Sequence, residues 1–245
     1  MRPGGGAATG EAGASSLKVK QTMTAHFWWM IHKDLVSEFR ARRVWPAMLL
    51  LGIVVALVFS IQMDLLPHQK QRIVGGLLWL AVFFAGMTAV DRSFAAEHED
   101  GCWQGLKMLP LSMSTLFLAK LTVNLLALWV LQILLIPLFF ALSDLPLLAH
   151  AREMLLISAL ASPGMAAVGS LVSALAAGSG RSGSLLVLVV LPLLIPLVLA
   201  AAECTRLAVQ GQIDETWWRW IQLLGAFDII FVTAGLLLFE YAIED

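Results

Sequence analysis

The stretch LFLAKLTVNLLALWVLQILLIPLFFAL, residues 116–142, contains one charged residue, Lys120, in an otherwise almost wholly apolar run. A helix needs about 20 apolar residues to cross a hydrocarbon core of roughly 30 Å, and this run is long enough. A strand of a membrane β-barrel would alternate between apolar and polar residues instead. The run therefore predicts a membrane-spanning α-helix.

Similar runs occur along the rest of the chain. The sequence has 245 residues, of which 59% are hydrophobic and only 13% charged, whereas soluble domains carry about 25% charged residues. The predicted fold is an all-α integral membrane protein with six transmembrane helices. The candidate spans are residues 46–66, 73–90, 116–142, 154–177, 184–202 and 217–239.

The distribution of lysine and arginine predicts the orientation, because these residues concentrate in cytoplasmic flanks. Four lie in the flank just before the first span, with Lys18 and Lys20 further out, and only Lys70 and Arg72 follow the span closely. The four are Lys33, Arg40, Arg42 and Arg43. Both termini are therefore predicted to be cytoplasmic, with outer loops at residues 64–72, 143–153 and 203–216.

The N-terminal region divides into two parts before the first span. Residues 1–22 are rich in Gly, Ala and Ser and predict a flexible tail, which leaves Met23 as an alternative start to Met1. Residues 26–45 predict an amphipathic helix in the cytoplasmic interface, with His26 and His32 as interfacial side chains. Residues 23–245 are then a single six-span domain.

Catalytic motifs are absent from the sequence, which contains no GxSxG, HExxH or GxxxxGK[ST]. Cys102 and Cys204 are far apart, so they indicate neither a disulfide framework nor a metal site. The net charge of −1 does not favour nucleic-acid binding. We expect a protein that is not an enzyme, and any ATP that drives it to be bound by another chain.

Polar residues inside the spans are candidates for function or for packing. Asp228 lies midway along the sixth span, where an ionised carboxylate is costly. It is either a protonated or hydrogen-bonded side chain that faces a neighbouring helix, or a coupling or pathway residue. Asn124 and Gln132 are predicted to form interhelical hydrogen bonds.

Two further features, one in the fifth span and one in the sixth, have alternative interpretations. Pro192 and Pro196 predict a kinked or broken fifth helix, which is either ordinary packing or a moving, substrate-facing element. Trp217, Trp218 and Trp220 favour an aromatic belt at the membrane interface over a cofactor platform.

The longest polar interruption is FAAEHEDGCWQGLKMLPLS, residues 94–112, between the second and third spans. The chain leaves the second span at Asp91, turns at Asp100-Gly101 and continues into a short apolar helix that ends at proline. Lys120 is expected to extend to the cytoplasmic surface. The segment either presses on a soluble partner or is a plain interfacial loop. Its candidate contact residues are Glu97, Glu99, Asp100, Gly101, Leu106, Leu109 and Pro110.

This segment resembles one in ABC-2-type exporter permeases that reads E-x-G-[T/S]-x-E-x-L-x-x-x-P-x-S…L-x-K. The matching residues are Glu99, Gly101, Leu106, Pro110, Ser112, Leu118 and Lys120. Beyond this motif, four ordered stretches resemble the CcmB family of cytochrome c maturation permeases, also called haem exporter protein B. They are FWWMIHKDLVSEFRARR, residues 94–120, RSGSLLVLVVLPLLIPLV and LGAFDIIF…LLLFEYAIED.

The resemblance implies a permease of the bacterial inner membrane that works with a separate ATP-binding subunit (CcmA-like). Residues 97–110 would form the coupling helix on that subunit, although Gln104 stands where the family often has a carboxylate. Further implied partners are CcmC-like and CcmD-like membrane proteins, a CcmE-like haem chaperone and a second copy of this chain. ATP hydrolysis would drive release of the haem-loaded chaperone, with haem as cargo rather than as a bound cofactor.

Two alternatives to this interpretation remain open. The first is an ABC-2-type exporter permease for a drug, lipid or polysaccharide. The second is a non-transporting membrane scaffold for haem-delivery proteins.

Overall fold

A computed structural model describes residues 44–62, 67–99, 113–178 and 183–244. This part of the chain is helical and contains no β-strand. A short 3₁₀ helix, Leu147–His150, follows the third helix. The six long helices are α1 (Val44–Gln62), α2 (Pro67–Glu99), α3 (Met113–Leu142), α4 (Ala151–Gly178), α5 (Gly183–Val209) and α6 (Glu215–Glu244).

Helices α2 to α6 each contain a segment long and apolar enough to cross a membrane, and α1 contributes a shorter apolar segment, Met48–Val58. These helices are those of a multi-pass membrane protein. The prediction of an all-α fold is confirmed for the described residues, and the sixth crossing, by α1, stays a prediction. The predicted N-terminal tail and interfacial helix lie outside the described residues.

Helix α4 is the most deeply buried of the five long apolar helices, and it packs against α2, α3, α5 and α6. The apolar, membrane-spanning part of α4 is 67% buried, whereas the corresponding part of α6 is only 22% buried. Every residue from 164 to 170, the sequence GMAAVGS, is buried. Small residues let helix backbones approach closely in a membrane, where no hydrophobic driving force brings helices together.

Two buried hydrogen bonds join α3 to α4. Asn124 Nδ2 donates to Ser170 Oγ at 2.8 Å, and Gln132 Nε2 donates to Ser162 Oγ at 2.9 Å. Such bonds between membrane helices contribute roughly 0.6–2 kcal/mol each. The predicted interhelical role of both amides is confirmed.

Helices α2 and α5 meet at a close contact near one end of the bundle. A Cβ on Gly75 would collide with the carbonyl oxygen of Ala202 and would lie 3.1 Å from Thr205 Cβ. One turn further, Trp79 Nε1 donates to Thr205 Oγ1 at 2.9 Å, and both side chains are buried. Glycine at 75 therefore allows the approach, and the Trp79–Thr205 bond fixes the register of the two helices.

The same end of the bundle, here called the turn end, carries the turns at residues 143–150 and 210–214. Lys70, near the start of α2, forms an ion pair of 3.0 Å with Asp144, which follows α3. Asp144 has a φ of 58°, in the left-handed region. Its amide donates to Ala141 O and that of Leu145 to Phe140 O, which closes the C-terminus of α3.

The second helix is longer than the predicted second span. The span was predicted at residues 73–90, and the apolar segment of α2, Gln69–Thr88, agrees to within four residues at each end, but α2 runs for 33 residues and its backbone is helical through Glu99. Pro67 suits the first position of a helix. Residues 91–99 contain no Gly or Pro and include Ala and Glu, which favour helix. Hydropathy detected only the apolar part of a longer helix.

The predicted outer loop at 203–216 was too long, because α5 continues to Val209 and the turn before α6 is short. Gly211, with a φ of 70°, donates from its amide to Ala208 O at 3.0 Å. The amide of Gln212 donates to Leu207 O at 2.9 Å, which completes a Schellman C-cap. Asp214 Oδ1 then accepts from the amides of Thr216 and Trp217 and caps the N-terminus of α6.

Two side-chain predictions also change. Lys120 is only 2% exposed, so it is buried within the bundle instead of extending to the surface. Pro192 and Pro196 lie inside a helix that is continuous from Gly183 to Val209, so α5 is not broken at either proline.

The left-handed C-cap of α5 gives a stability prediction. Gly211→Ala should lower the free energy of unfolding by about 1 kcal/mol, because a Cβ is unfavourable at positive φ. Gly225→Ala is the matched control, since Gly225 lies within α6 and a Cβ there meets no atom within 4 Å. That control should be neutral or stabilising by up to about 1 kcal/mol.

Unfolding in mixed detergent micelles, followed by circular dichroism, measures both variants. Equal effects of the two substitutions would contradict the C-cap assignment.

Candidate functional site

Asp228 lies in the middle of α6, and its side chain is partly buried between helices. Its Oδ1 atom is fully covered and has no hydrogen-bond partner among the described residues. Unpaired polar atoms are costly in a bilayer, where water is not available to satisfy them. Asp228 is therefore the polar group of α6 whose burial needs an explanation.

The neighbour of this carboxyl is the backbone of α4 at Gly164. A Cβ built on Gly164 would lie 2.7 Å from Asp228 Oδ1, 2.5 Å from Leu197 Cδ1 and 3.0 Å from Phe227 Cδ1. Residues from α5 and α6 thus meet α4 at a glycine, where α4 has no side chain to hold them apart. We call Gly164, Leu197, Phe227 and Asp228 the three-helix junction.

Prolines and an aromatic pair flank the three-helix junction. Pro163 precedes Gly164 in α4, and Pro196 precedes Leu197 in α5. Each proline lacks the amide that would pair with the carbonyl four residues earlier, so each weakens its helix locally. Phe227 stacks on Phe231 at a centroid distance of 4.2 Å. The structure therefore places Asp228 near Leu197, the residue that follows the candidate Pro196.

The chemistry open to the three-helix junction is limited by its side chains. A carboxyl group can hold a proton or accept a hydrogen bond, and its neighbours here are a glycine backbone and apolar side chains. Within the described residues, no three His, Cys, Asp or Glu lie close enough together to hold a metal ion. The arrangement suits a group that acts through protonation or through a hydrogen bond made when α4 and α6 shift.

The tryptophan cluster joins α5 to α6 at the turn end. Trp217 is 2% exposed, and its Nε1 donates to the carbonyl of Cys204 at 3.1 Å. Trp218 is 52% exposed and contacts Trp217 edge to face. A buried, hydrogen-bonded Trp217 leaves no flat three-ring platform for a cofactor, while Trp218 points outward as a belt residue would.

The predicted coupling segment is described only in part. Glu97 and Glu99 belong to the last turns of α2, so the acidic cluster begins on a helix that is continuous with the second span. The other candidates lie outside the described residues. They are Asp100, Gly101, Leu106, Leu109 and Pro110.

Sequence reasoning missed Gly164 and the Trp79–Thr205 pair. A run of small residues after Pro163 was a visible signal for close packing in α4, but nothing in the sequence indicated which helix would approach it. Trp79 and Thr205 are 126 positions apart, so only the fold places them together.

Comparison with known proteins shows extensive similarity. A family model described as "CcmB protein" matches residues 25–244. The "Heme exporter protein B" of Rhodobacter capsulatus is 35% identical over 145 residues, 57% of this chain and 64% of that relative, so the match spans less than two thirds of it. The protein of the same name from Pseudomonas aeruginosa is 30% identical over 71% of this chain and 78% of that relative. The one from Escherichia coli K12 is 29% identical over 71% of this chain and 79% of that relative.

The geometry of the three-helix junction gives a second prediction. Gly164→Ala should lower the free energy of unfolding by about 1–3 kcal/mol, because the new methyl group forces apart side chains from two helices. Gly76→Ala is the matched control, since Gly76 lies in α2 and a Cβ there meets no atom within 4 Å.

Detergent denaturation of both variants, with equal membrane insertion verified first, measures the difference. A Gly164→Ala variant as stable as Gly76→Ala would contradict close contact at this position.

Proposed function

The chain belongs to the CcmB family, and on that premise we propose that it is the membrane permease subunit of a haem-exporting ABC-type complex in c-type cytochrome biogenesis. The observation that carries the proposal is the family match, which runs through residues 25–244 and so includes both residues 97–110 and Asp228. The named relatives support haem as the cargo.

Energy for the process comes, in this proposal, from a separate ATP-binding subunit of the CcmA type. The sequence has no phosphate-binding GxxxxGK[ST] loop of its own, so ATP is bound by the partner. Residues 97–110 are the proposed contact with that subunit on the cytoplasmic side. Because α2 is one helix from Pro67 to Glu99, a force applied beyond Glu99 acts directly on a bundle helix.

The packing supports a route for that displacement through the bundle. Helix α2 is attached to α5 by the buried Trp79–Thr205 bond and by the close contact at Gly75. Helix α5 in turn supplies Leu197 to the three-helix junction, where α4 and α6 meet at Asp228. Movement of α2 and α5 would therefore alter the environment of Asp228.

We place the turn end on the periplasmic side of the bacterial inner membrane, following the lysine and arginine distribution. There the permease would promote release of a haem-loaded, CcmE-like chaperone, together with CcmC-like and CcmD-like membrane proteins. Two copies of this chain would pair with the ATPase dimer. Haem is substrate in this scheme, and no described residue is assigned to hold it.

The proposed ATPase contact predicts an effect of charge. Glu99→Lys combined with Asp100→Lys should reduce co-purification of the ATPase subunit at least tenfold, while the permease still inserts. Glu215→Lys is the matched control, because Glu215 is exposed at the turn end on α6. Affinity purification of the tagged permease, followed by immunoblotting of both subunits, measures the ratio.

Unchanged ATPase recovery with the double variant would overturn the contact assignment. Equal loss with Glu215→Lys would show a general charge effect instead of docking.

The position of Asp228 predicts a role for its ionisable group. Asp228→Asn keeps the shape of the side chain and removes the carboxylate, so holo-cytochrome c should fall several-fold at an equal permease level. Asp214→Asn, at the N-cap of the same helix, is the matched control, because asparagine caps an N-terminus about as well as aspartate.

Haem staining of periplasmic cytochrome c, normalised to permease abundance, measures both variants. A normal yield with Asp228→Asn would leave Asp228 with a packing role only.

A further inference from the structure

A groove of about 550 Å³ lies on the outside of the bundle between α3 and α4. Trp129 and Ile133 of α3 form one wall, and Met154, Leu155 and Ala159 of α4 form the other. Ile133 is 73% exposed and Leu155 is 71% exposed, so in a membrane the groove opens toward lipid. Its volume falls within the range of about 300–1,000 Å³ that small-molecule sites occupy.

Polar groups lie at the base of this otherwise apolar groove. Gln132 and Ser158 both line it, and Gln132 is only 2% exposed. Neither Gln132 Oε1 nor Ser158 Oγ has a hydrogen-bond partner within the described residues. Both atoms are covered by neighbouring side chains. A small rotation of the Gln132 and Ser158 side chains would bring them into contact with a ligand in the groove.

The orientation of the Gln132 amide follows from its neighbours. Ser162 Oγ donates its single proton to the Ser158 carbonyl at 2.7 Å. Ser162 Oγ must therefore accept the hydrogen bond of 2.9 Å from Gln132 Nε2. This fixes Oε1 as the free end of the amide, an acceptor beside a hydroxyl that can donate or accept.

Proline adds further acceptors on both walls. Pro137 of α3 removes the amide that would pair with the carbonyl of Ile133 in a regular helix, and Pro163 of α4 does the same for Ala159. Ile133 and Ala159 both line the groove. The walls stay apolar, and the few polar atoms near the base include acceptors without a partner, which suits a ligand that carries a hydrogen-bond donor.

The charge and dimensions of the groove define the ligand. None of its lining residues is Asp, Glu, Lys, Arg or His, so a charged headgroup would have no counterion there. Its walls cover about two turns of each helix, roughly 12 Å. A volume of 550 Å³ over that length suits a single small molecule.

We propose that the α3–α4 groove binds a neutral amphiphile, a molecule with a hydrocarbon body and at least one free hydroxyl group. The hydrocarbon body lies against Trp129, Ile133 and Leu155, and the hydroxyl group donates to Gln132 Oε1 and accepts from Ser158 Oγ. The site is separate from the three-helix junction and does not depend on the identity of the exported cargo.

A second groove provides an internal comparison. It lies between α2 and α5, has a volume of about 310 Å³ and is lined only by apolar residues and glycine, including Gly76, Phe84 and Ile195. It faces outward like the first groove but offers no polar side chain. Any lipid chain can fill it, so it reports binding that is not selective for hydroxyl groups.

The test uses the full chain in its assembled complex, purified and reconstituted in phosphatidylcholine nanodiscs. The probe is a diazirine-bearing analogue of monoolein, a neutral lipid with two free hydroxyl groups. After irradiation, peptide mass spectrometry should find the label mainly on residues 129–137 and 151–159. Unlabelled monoolein should compete at least tenfold better than methyl oleate, which lacks the hydroxyl groups, or ionised oleate.

Variants locate the site and its polar contact. Ala159→Phe, which fills the groove, should reduce labelling there at least tenfold, and Gly76→Phe, which fills the second groove, should leave it unchanged. Ser158→Ala removes one hydrogen bond without filling the groove, so competition by monoolein should weaken about fivefold. Ser158→Ala provides the test if Ala159→Phe fails to insert.

Several results would overturn the proposal. Equal competition by methyl oleate, equal labelling of the two grooves, or no effect of Ser158→Ala would show an apolar crevice without selectivity. Competition by haem but not by monoolein would assign the groove to cargo instead. A protein-sized cross-link in place of the lipid label would show that a partner helix occupies it.

Discussion

The constraint on which this structure depends is that the surrounding hydrocarbon offers no hydrogen-bond partners. A polar side chain that enters a span must find its partner within the protein, on its own helix or on another. The Asn124–Ser170, Gln132–Ser162 and Trp79–Thr205 bonds meet that requirement at three heights in the bundle. Since each bond joins two different helices, the same requirement also sets the order in which the helices pack. Among the described residues, four buried side-chain atoms remain unpaired: Ser173 Oγ, Asp228 Oδ1 and the two atoms of the α3–α4 groove, and the last three are the informative exceptions.

Helix α4 shows how a membrane bundle packs without large core residues. Its buried segment from 164 to 170 consists mainly of glycine, alanine and serine, and neighbouring helices approach its backbone directly. At Gly164 this leaves space for the carboxyl group of Asp228, which a larger residue would exclude. The packing of α4 and the position of the candidate functional group thus have one cause. A change in the separation of α4 and α6 would alter both together.

Sequence reasoning predicted the parts of the fold that depend on hydrophobicity. Spans three and four were predicted to within three residues of the observed helices α3 and α4 at each end. Helices α2 and α5 extend beyond the predicted apolar spans because capping and helix propensity, not hydropathy, decide where a helix stops. The caps at Gly211 and Asp214 were readable in the sequence, whereas the partners of Gly164 and Trp79 were not. A contact between residues far apart in the chain depends on the whole arrangement of helices.

The length of α2 has a mechanical consequence. Its 33 residues correspond to a rod of roughly 50 Å, against a hydrocarbon thickness of about 30 Å. Tilt alone would need to exceed about 50° to hide it, beyond the range of about 0–40° seen in membranes. The rod therefore projects beyond the hydrocarbon core. Glu99 lies about 30 Å along the axis from the Trp79 contact, so a rotation of about 5° at that pivot displaces Glu99 by roughly 3 Å. Conversely, a displacement of Glu99 by a few ångströms rotates α2 by only a few degrees at its contact with α5.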